Sequence, residues 1–410
     1  MQVNELIDLA PALELAVLGA LLALVPVAVV VWRARRQGVS GWPAWQRVLT
    51  VATLFLTLDL VVFGAFTRLT DSGLGCPDWP GCYGELTPFH AREDIGAAHA
   101  EAPHGPVSPS KAWIEMIHRY LATSVGALIT GLMILAWRKR HWPGGLSPWW
   151  ATATFVWVCL QGAFGALTVT LKLQPIIVTG HLLGAMLGVA MLTAQARVLD
   201  PAPIGAGPGA EARRQAWASA RLRRWGVAVL ALLTLQIASG AWVSTNYAVL
   251  ACSEFPMCQG QWWPPMAFED AFRLMRPLGG DGQGGAISMA GLTAIHMVHR
   301  LMAMGVALAL LTFAWRLAAW RADGQADRPW RKESRVLFGL VAWQVISGLS
   351  NVVLDWPLAA ALSHTLGAAL LVWWLVRLLV LPRAVPAPAA VPAGACHQGH
   401  HGTAVQASAS

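Results

Sequence analysis

The chain has 410 residues and a formal net charge of +8, with 56% hydrophobic residues, only 12% charged ones and a mean hydropathy of +0.52. Globular domains carry about 25% charged residues, so this composition excludes an ordinary soluble protein and indicates a chain that lives in lipid. The basic excess is no nucleic-acid footprint either, because its distribution follows the membrane, and the 22 Trp against 3 Tyr suit rings placed at the headgroup boundary.

Apolar stretches of about 18 residues or more predict spanning helices at 12–33, 49–69, 112–136, 148–170, 175–197, 225–245, 290–314, 336–354 and 358–380. The first follows an acidic start (Glu5, Asp8, Glu14), and no small-residue cleavage site precedes Trp32-Arg33-Ala34-Arg35-Arg36. It reads as a retained helix, not a signal peptide.

Lys and Arg then fix the expected orientation, since they are retained on the cytoplasmic side. They cluster in alternate connectors: Arg33, Arg35, Arg36 and Arg47; Arg138, Lys139 and Arg140; Arg197, Arg213, Arg214, Arg221, Arg223 and Arg224; Arg316, Arg321, Arg328, Arg331, Lys332 and Arg335; and Arg377 and Arg383 in the tail. These are 21 of the 29 basic residues. The expected topology has the N-terminus outside, the C-terminus inside and the loops at 70–111 and 246–289 outside.

The chain also repeats itself. Phe63-Gly-Ala-Phe-Thr-Arg leads to Cys76-Pro-Asp-Trp-Pro-Gly-Cys82-Tyr-Gly, as Ser239-Gly-Ala-Trp-Val-Ser leads to Cys252-Ser-Glu-Phe-Pro-Met-Cys258-Gln-Gly. Glu115-Met-Ile-His118-Arg119 parallels His296-Met-Val-His299-Arg300, and Gln161-Gly-Ala-Phe-Gly with His181 parallels Gln344-Val-Ile-Ser-Gly with His364. The expected fold class is an all-α polytopic membrane protein: two repeated four-helix bundles related by a parallel pseudo-two-fold, plus one extra N-terminal transmembrane helix. Its segments are the extra helix and basic stretch at 1–48, a first unit at 49–200, a linker at 201–224, a second unit at 225–382 and a disordered tail at 383–410. The tail residues Cys396, His397, His400 and His401 have metal-ligand chemistry but sit in an Ala/Pro/Gly/Ser-rich segment without a core.

Ionisable residues inside a bilayer are rare and mark function. His118, His181, His299 and His364 fall in the outer halves of helices running inward, two per unit on two different helices. A lone intramembrane His serves equally well as an interhelical hydrogen bond, but four at repeat-related positions suit bis-imidazole ligation of a haem iron in each unit. Glu115, three residues before His118, shares its helix face and is either a proton-handling group or a carboxylate that orients an imidazole. His296 replaces it in the second unit, so the first reads as a reaction site and the second as an electron-transfer or structural haem site. Arg119 and Arg300 follow the candidate ligands and are expected to meet haem propionates. Arg68, at the outer end of its helix, reads equally as a propionate partner or as a snorkelling side chain. Cys76 with Cys82 and Cys252 with Cys258 read as structural disulfides in an oxidising location, with thiol exchange as the alternative, and Cys159 as a packing thiol.

The run from Gly64 to Gly84, with Glu115-Met-Ile-His-Arg-Tyr-Leu-Ala, resembles the haem A synthase family of oxidase assembly over about residues 49–380. That resemblance implies oxidation of the C8 methyl of haem O to the formyl of haem A, by successive hydroxylation and loss of water. It implies His118 and His181 as ligands of the substrate haem, His299 and His364 as ligands of a haem b cofactor, Glu115 as the catalytic glutamate, and Cys76 with Cys82 as the external pair. The helix at 12–33 departs from the eight-helix pattern of the family. Expected partners are haem O, haem A, lipid, haem O synthase, cytochrome oxidase assembly proteins and an unidentified electron partner, with no nucleic acid, in a bacterial inner membrane. The rival reading is an electron-carrying dihaem cytochrome b, and a membrane thiol oxidoreductase would leave the four histidines unexplained.

Overall fold

The computed structural model describes residues 10–200, 220–276, 287–319, 321–322, 325–326 and 328–380. Among these, nine helices are long and apolar enough to cross a membrane. The fold is all-helical apart from a two-residue ladder pairing Arg321–Ala322 with Gln325–Ala326. The spanning helices are α1 (Ala10–Arg36), α2 (Trp42–Leu69), α4 (Pro109–Arg138), α5 (Pro148–Thr170), α6 (Pro175–Val198), α7 (Ala220–Thr245), α9 (Met289–Ala319), α10 (Arg328–Val353) and α11 (Leu358–Leu379). Two short helices, α3 (Arg92–Glu101) and α8 (Phe268–Ala271), lie in the two long loops and were not expected from hydropathy.

Several helices run beyond their apolar stretches: α2 begins at Trp42 instead of 49, α9 continues to Ala319, and α10 begins at Arg328. Hydropathy marks the hydrocarbon, whereas helical hydrogen bonding continues through the headgroups. Starts are set by proline in the first turn of α2, α4, α5 and α6, where its missing N–H costs nothing. Inside α2, Thr50, Thr53 and Thr57 each return their hydroxyl to the carbonyl four residues back, so these three buried hydroxyls are satisfied.

In the first half α2, α4, α5 and α6 pack in a closed ring, each against the next and α6 back on α2. In the second half α7, α9, α10 and α11 follow the same order of neighbours. The halves meet where α6 packs on α7 and α11, and α11 on α2, around a core that includes Leu54, Val189, Leu192, Phe313, Leu371 and Leu375. Helix α1 lies outside this ring arrangement and packs on α4 and α2. Close approach there depends on Gly19, where a Cβ would collide with the Thr123 side chain.

Candidate functional site

Ser108 caps α4 by accepting the Lys111 N–H (3.3 Å), and Pro109 opens it, which sets Glu115, His118 and Arg119 two to three turns into the helix. His181 sits at the corresponding depth of α6, His299 on α9 and His364 on α11. The four imidazoles fall in two pairs, His118 on α4 with His181 on α6 and His299 on α9 with His364 on α11, each pair on helices that lie across one ring from each other.

Each ring lies against bare backbone of a neighbouring helix. A Cβ built on Gly64 would come 3.0 Å from His118 Nε2, on Gly165 3.8 Å from His181 Cε1, on Gly240 3.0 Å from His299 Cε1, and on Gly348 3.1 Å from His364 Cε1. Gly64, Gly240 and Gly348 therefore make room for imidazoles that a side chain would crowd, whereas Gly165 is in ordinary contact with His181. Sequence reasoning missed this contact, although the repeat aligns Gly64 with Gly240 and Gly165 with Gly348 and so carries a signal for it.

The two pairs differ in their polar partners. In the second half, Ser239 Oγ lies 2.8 Å from His299 Nδ1 and Ser347 Oγ 3.0 Å from His364 Nδ1. Gln236 also borders His299, donating to its carbonyl at 3.2 Å with Nε2 3.0 Å from Nδ1. In the first half His118 lies nearly parallel to the Phe63 ring, 6.5 Å between centroids, and His181 Nδ1 is buried with no partner. Ser239, Ser347 and Gln236 were not singled out from the sequence, because serine in an apolar helix has too many ordinary uses.

Glu115 and Arg119 are both buried, 4% and 7% exposed, and pair with each other. The carboxylate also accepts the Cys76 N–H at 2.9 Å. Arg119 Nη1 donates to the carbonyls of Asp78 (2.9 Å), Pro80 (3.2 Å) and Gly81. Among the described contacts Glu115 touches no imidazole, so it ties α4 to the cysteine loop instead of orienting a ring. The second half repeats the arrangement with other chemistry: His296 Nδ1 bonds the Ala248 carbonyl (2.9 Å), and Arg300 donates to the carbonyls of Met257 (3.1 Å), Glu254 (2.8 Å) and Cys252 (3.4 Å). Both guanidinium groups thus hold a cysteine loop, and Arg300 Nε stays buried without a partner.

The loops are closed by disulfides Cys76–Cys82 and Cys252–Cys258, all four sulfurs on residues 0–1% exposed. Each loop turns through two left-handed residues, Tyr83-Gly84 and Gln259-Gly260, with the amides there held by the carboxylates of Asp78 and Glu254. Cys159 is exposed on its helix and not packed, which corrects the packing expectation; a single thiol is apolar enough to face lipid. Arg68 does not snorkel. It donates to Ser244 O (2.7 Å), Tyr247 Oη (2.9 Å) and Asp71 Oδ1 (3.2 Å), so the last turn of α7, whose carbonyls lack intrahelical partners, helps to hold it. Burial, and then the hydrogen bond to Asp71, push the Tyr247 phenol above its ordinary range. Cys396, His397, His400 and His401 lie outside the described residues.

The donor set fits a haem in each half: two imidazoles on helices across one ring, a glycine against each imidazole and, in the second half, an unpartnered guanidinium N–H. Among the described residues no three His, Cys, Asp or Glu side chains gather as ligands for a bare ion.

Residues 47–376 match the family model described as cytochrome oxidase assembly protein, COX15-CtaA. The chain is 36% identical over 331 residues to a protein named Heme A synthase from Shewanella oneidensis, covering 80% of this chain and 93% of that one. It is 28% identical over 355 residues to Heme A synthase of Rhizorhabdus wittichii (82% and 92%) and 28% over 324 residues to that of Alkalihalophilus pseudofirmus (78% and 91%). Helix α1 lies before the matched region.

Proposed function

The chain belongs to the COX15-CtaA cytochrome oxidase assembly family, and on that premise we propose that it makes haem A from haem O in a membrane, for oxidase assembly. The observation that carries this reading is the double set of paired imidazoles, each ring seated on a glycine of the neighbouring helix. The names of the relatives lend nothing to the rival, a purely electron-carrying cytochrome.

The reaction is an oxidation at a C–H bond, from the C8 methyl of haem O to a formyl group by two successive hydroxylations, each a two-electron oxidation by an oxidant from outside the chain, followed by loss of water. His118 and His181 hold the substrate haem; His299 and His364 hold a haem b, whose iron supplies one-electron redox chemistry when bound. Arg300 Nε, buried without a partner, is the donor that fits a propionate of that haem, while Arg119 and Arg300 Nη groups hold the cysteine loops over the two sites. The loops exclude water and keep Glu115 beside the first site, where its carboxyl exchanges protons as the methyl is oxidised. The segments 49–200 and 225–382 act as substrate and cofactor units. The chain lies in a bacterial inner membrane with its N-terminus and cysteine loops outside and its C-terminus in the cytoplasm, and haem O synthase and oxidase assembly proteins are its transient partners.

Extraction of the haems from chain purified out of a haem O-producing strain tests this. Haem B together with haem O or haem A is the expected result. Haem B alone, at two per chain, overturns it in favour of the cytochrome.

A further inference from the structure

The internal repeat aligns Phe63 with Ser239, each preceding the glycine under one histidine, and Phe164 with Ser347, each preceding the glycine under the other. At both places the first half has phenylalanine and the second half serine. The consequence is visible at the rings. Ser239 Oγ–H donates to the Gln236 carbonyl (2.9 Å) and Ser347 Oγ–H to the Trp343 carbonyl (2.8 Å). With the hydroxyl hydrogens so placed, Ser347 Oγ faces His364 as an acceptor, which puts the ring proton on Nδ1 and leaves the Nε2 lone pair free; Ser239 Oγ borders His299 Nδ1 in the same way but shares that ring with the Gln236 amide, whose Nε2 lies 3.0 Å from Nδ1 and 3.4 Å from Nε2. In the first half Phe63 lies along His118, Phe164 packs beside Gly180 on the helix that carries His181, and His181 Nδ1 has no partner.

An imidazole that donates its far N–H is held in one tautomer and one orientation and is a more basic ligand. One whose far nitrogen has no polar partner, like His181 Nδ1, has neither aid. We propose that the serine and phenylalanine pairs sort the two haems by lifetime: Ser239 and Ser347 make the second site a permanent one, and Phe63 and Phe164 keep the first site exchangeable, so that substrate enters and product leaves. The four are positioning residues acting through the ligands. A site for a turned-over haem has to release it, and weaker ligation there raises the off-rate without altering the ligands themselves.

This rests on the reading of two histidine-held haems, and the experiment separates the two. Haem transfer from the purified full chain to excess apomyoglobin is followed by its absorbance, with the midpoint potential of the retained haem measured alongside. For S239A/S347A, loss of the second-site haem should accelerate about 10- to 100-fold, the range for removing such a supporting hydrogen bond, and the potential should rise as the ligands become less basic. For F63S/F164S, release of haem O from the first site should slow by a similar factor, a gain that general loss of structure cannot produce. Unchanged rates in both variants, with haem B still lost on His299→Ala, overturn the sorting role and leave the haem reading intact. Retention of all haem in H299A/H364A overturns the haem reading itself.

Discussion

Replacing Glu115 by Gln separates chemistry from architecture at the first site. The amide is nearly isosteric and its Oε1 can still accept the Cys76 N–H, now 2.9 Å from the carboxylate, but it cannot exchange a proton at neutral pH. It also turns an NH2 toward Arg119, removing one charge-assisted hydrogen bond, a local loss of about 1.5–3 kcal/mol. Arg119 keeps the carbonyls of Asp78, Pro80 and Gly81, so the disulfide loop should stay in place. General acid or base help contributes about 10²- to 10⁴-fold, equivalent to about 3–5 kcal/mol of barrier. Haem A formed per chain should fall by that factor when haem O is supplied, with haem b occupancy unchanged, because Glu115 contacts nothing in the second half. Chromatographic haem analysis with optical quantitation of low-spin haem b reads both quantities. Near-normal haem A formation would remove Glu115 from the chemistry; loss of haem from both sites would make it a carboxylate that holds the fold.

The glycine seats give a second expectation: Gly240→Val should drive side-chain carbon into the His299 ring, since even a Cβ there falls 3.0 Å from Cε1, and low-spin haem b should be lost while the chain still inserts in the membrane. Replacing both Cys252 and Cys258 by Ser opens a loop of seven residues, worth about 2 kcal/mol by chain-entropy reasoning, and should raise proteolysis of the loop at 246–276 before it affects the helices. Asp270 accepts from the Ser288 hydroxyl (2.5 Å) and N–H (2.6 Å), which hold its carboxyl below the ordinary range. A carboxylate lowered in this way stabilises the fold at pH values above its unfolded pKa, and the contribution fades as pH falls through the folded one. Hydrogen exchange at the start of α9 should therefore accelerate below about pH 4, and Asp270→Asn should abolish that dependence; an unchanged pH profile in the variant would refute it. For orientation, a membrane-impermeant reagent applied to intact cells should label a cysteine introduced at Thr87 and spare one introduced at Gly144.

The amino-acid sequence by itself determined the class of the molecule and singled out the residues proposed to carry its chemistry. Length of apolar runs gave the spans, because lipid thickness sets a minimum length for a helix that must satisfy its own backbone. The repeat then paired His118 with His299 and His181 with His364, and the family motif marked Glu115 among them. Helix ends, α3 and α8 were beyond it, since hydropathy ceases to report where the hydrocarbon ends. Tertiary structure alone decided what each of these groups touches. Arg119 and Arg300 have carbonyls of the cysteine loops as partners, Arg68 joins α2 to the last turn of α7 and to Tyr247 beyond it, and the serines of the second half reach imidazoles that the phenylalanines of the first leave unsupported. The physical reason is that helical periodicity specifies which face a side chain occupies, whereas a hydrogen-bond partner on another helix depends on rotation and depth fixed only when the helices pack.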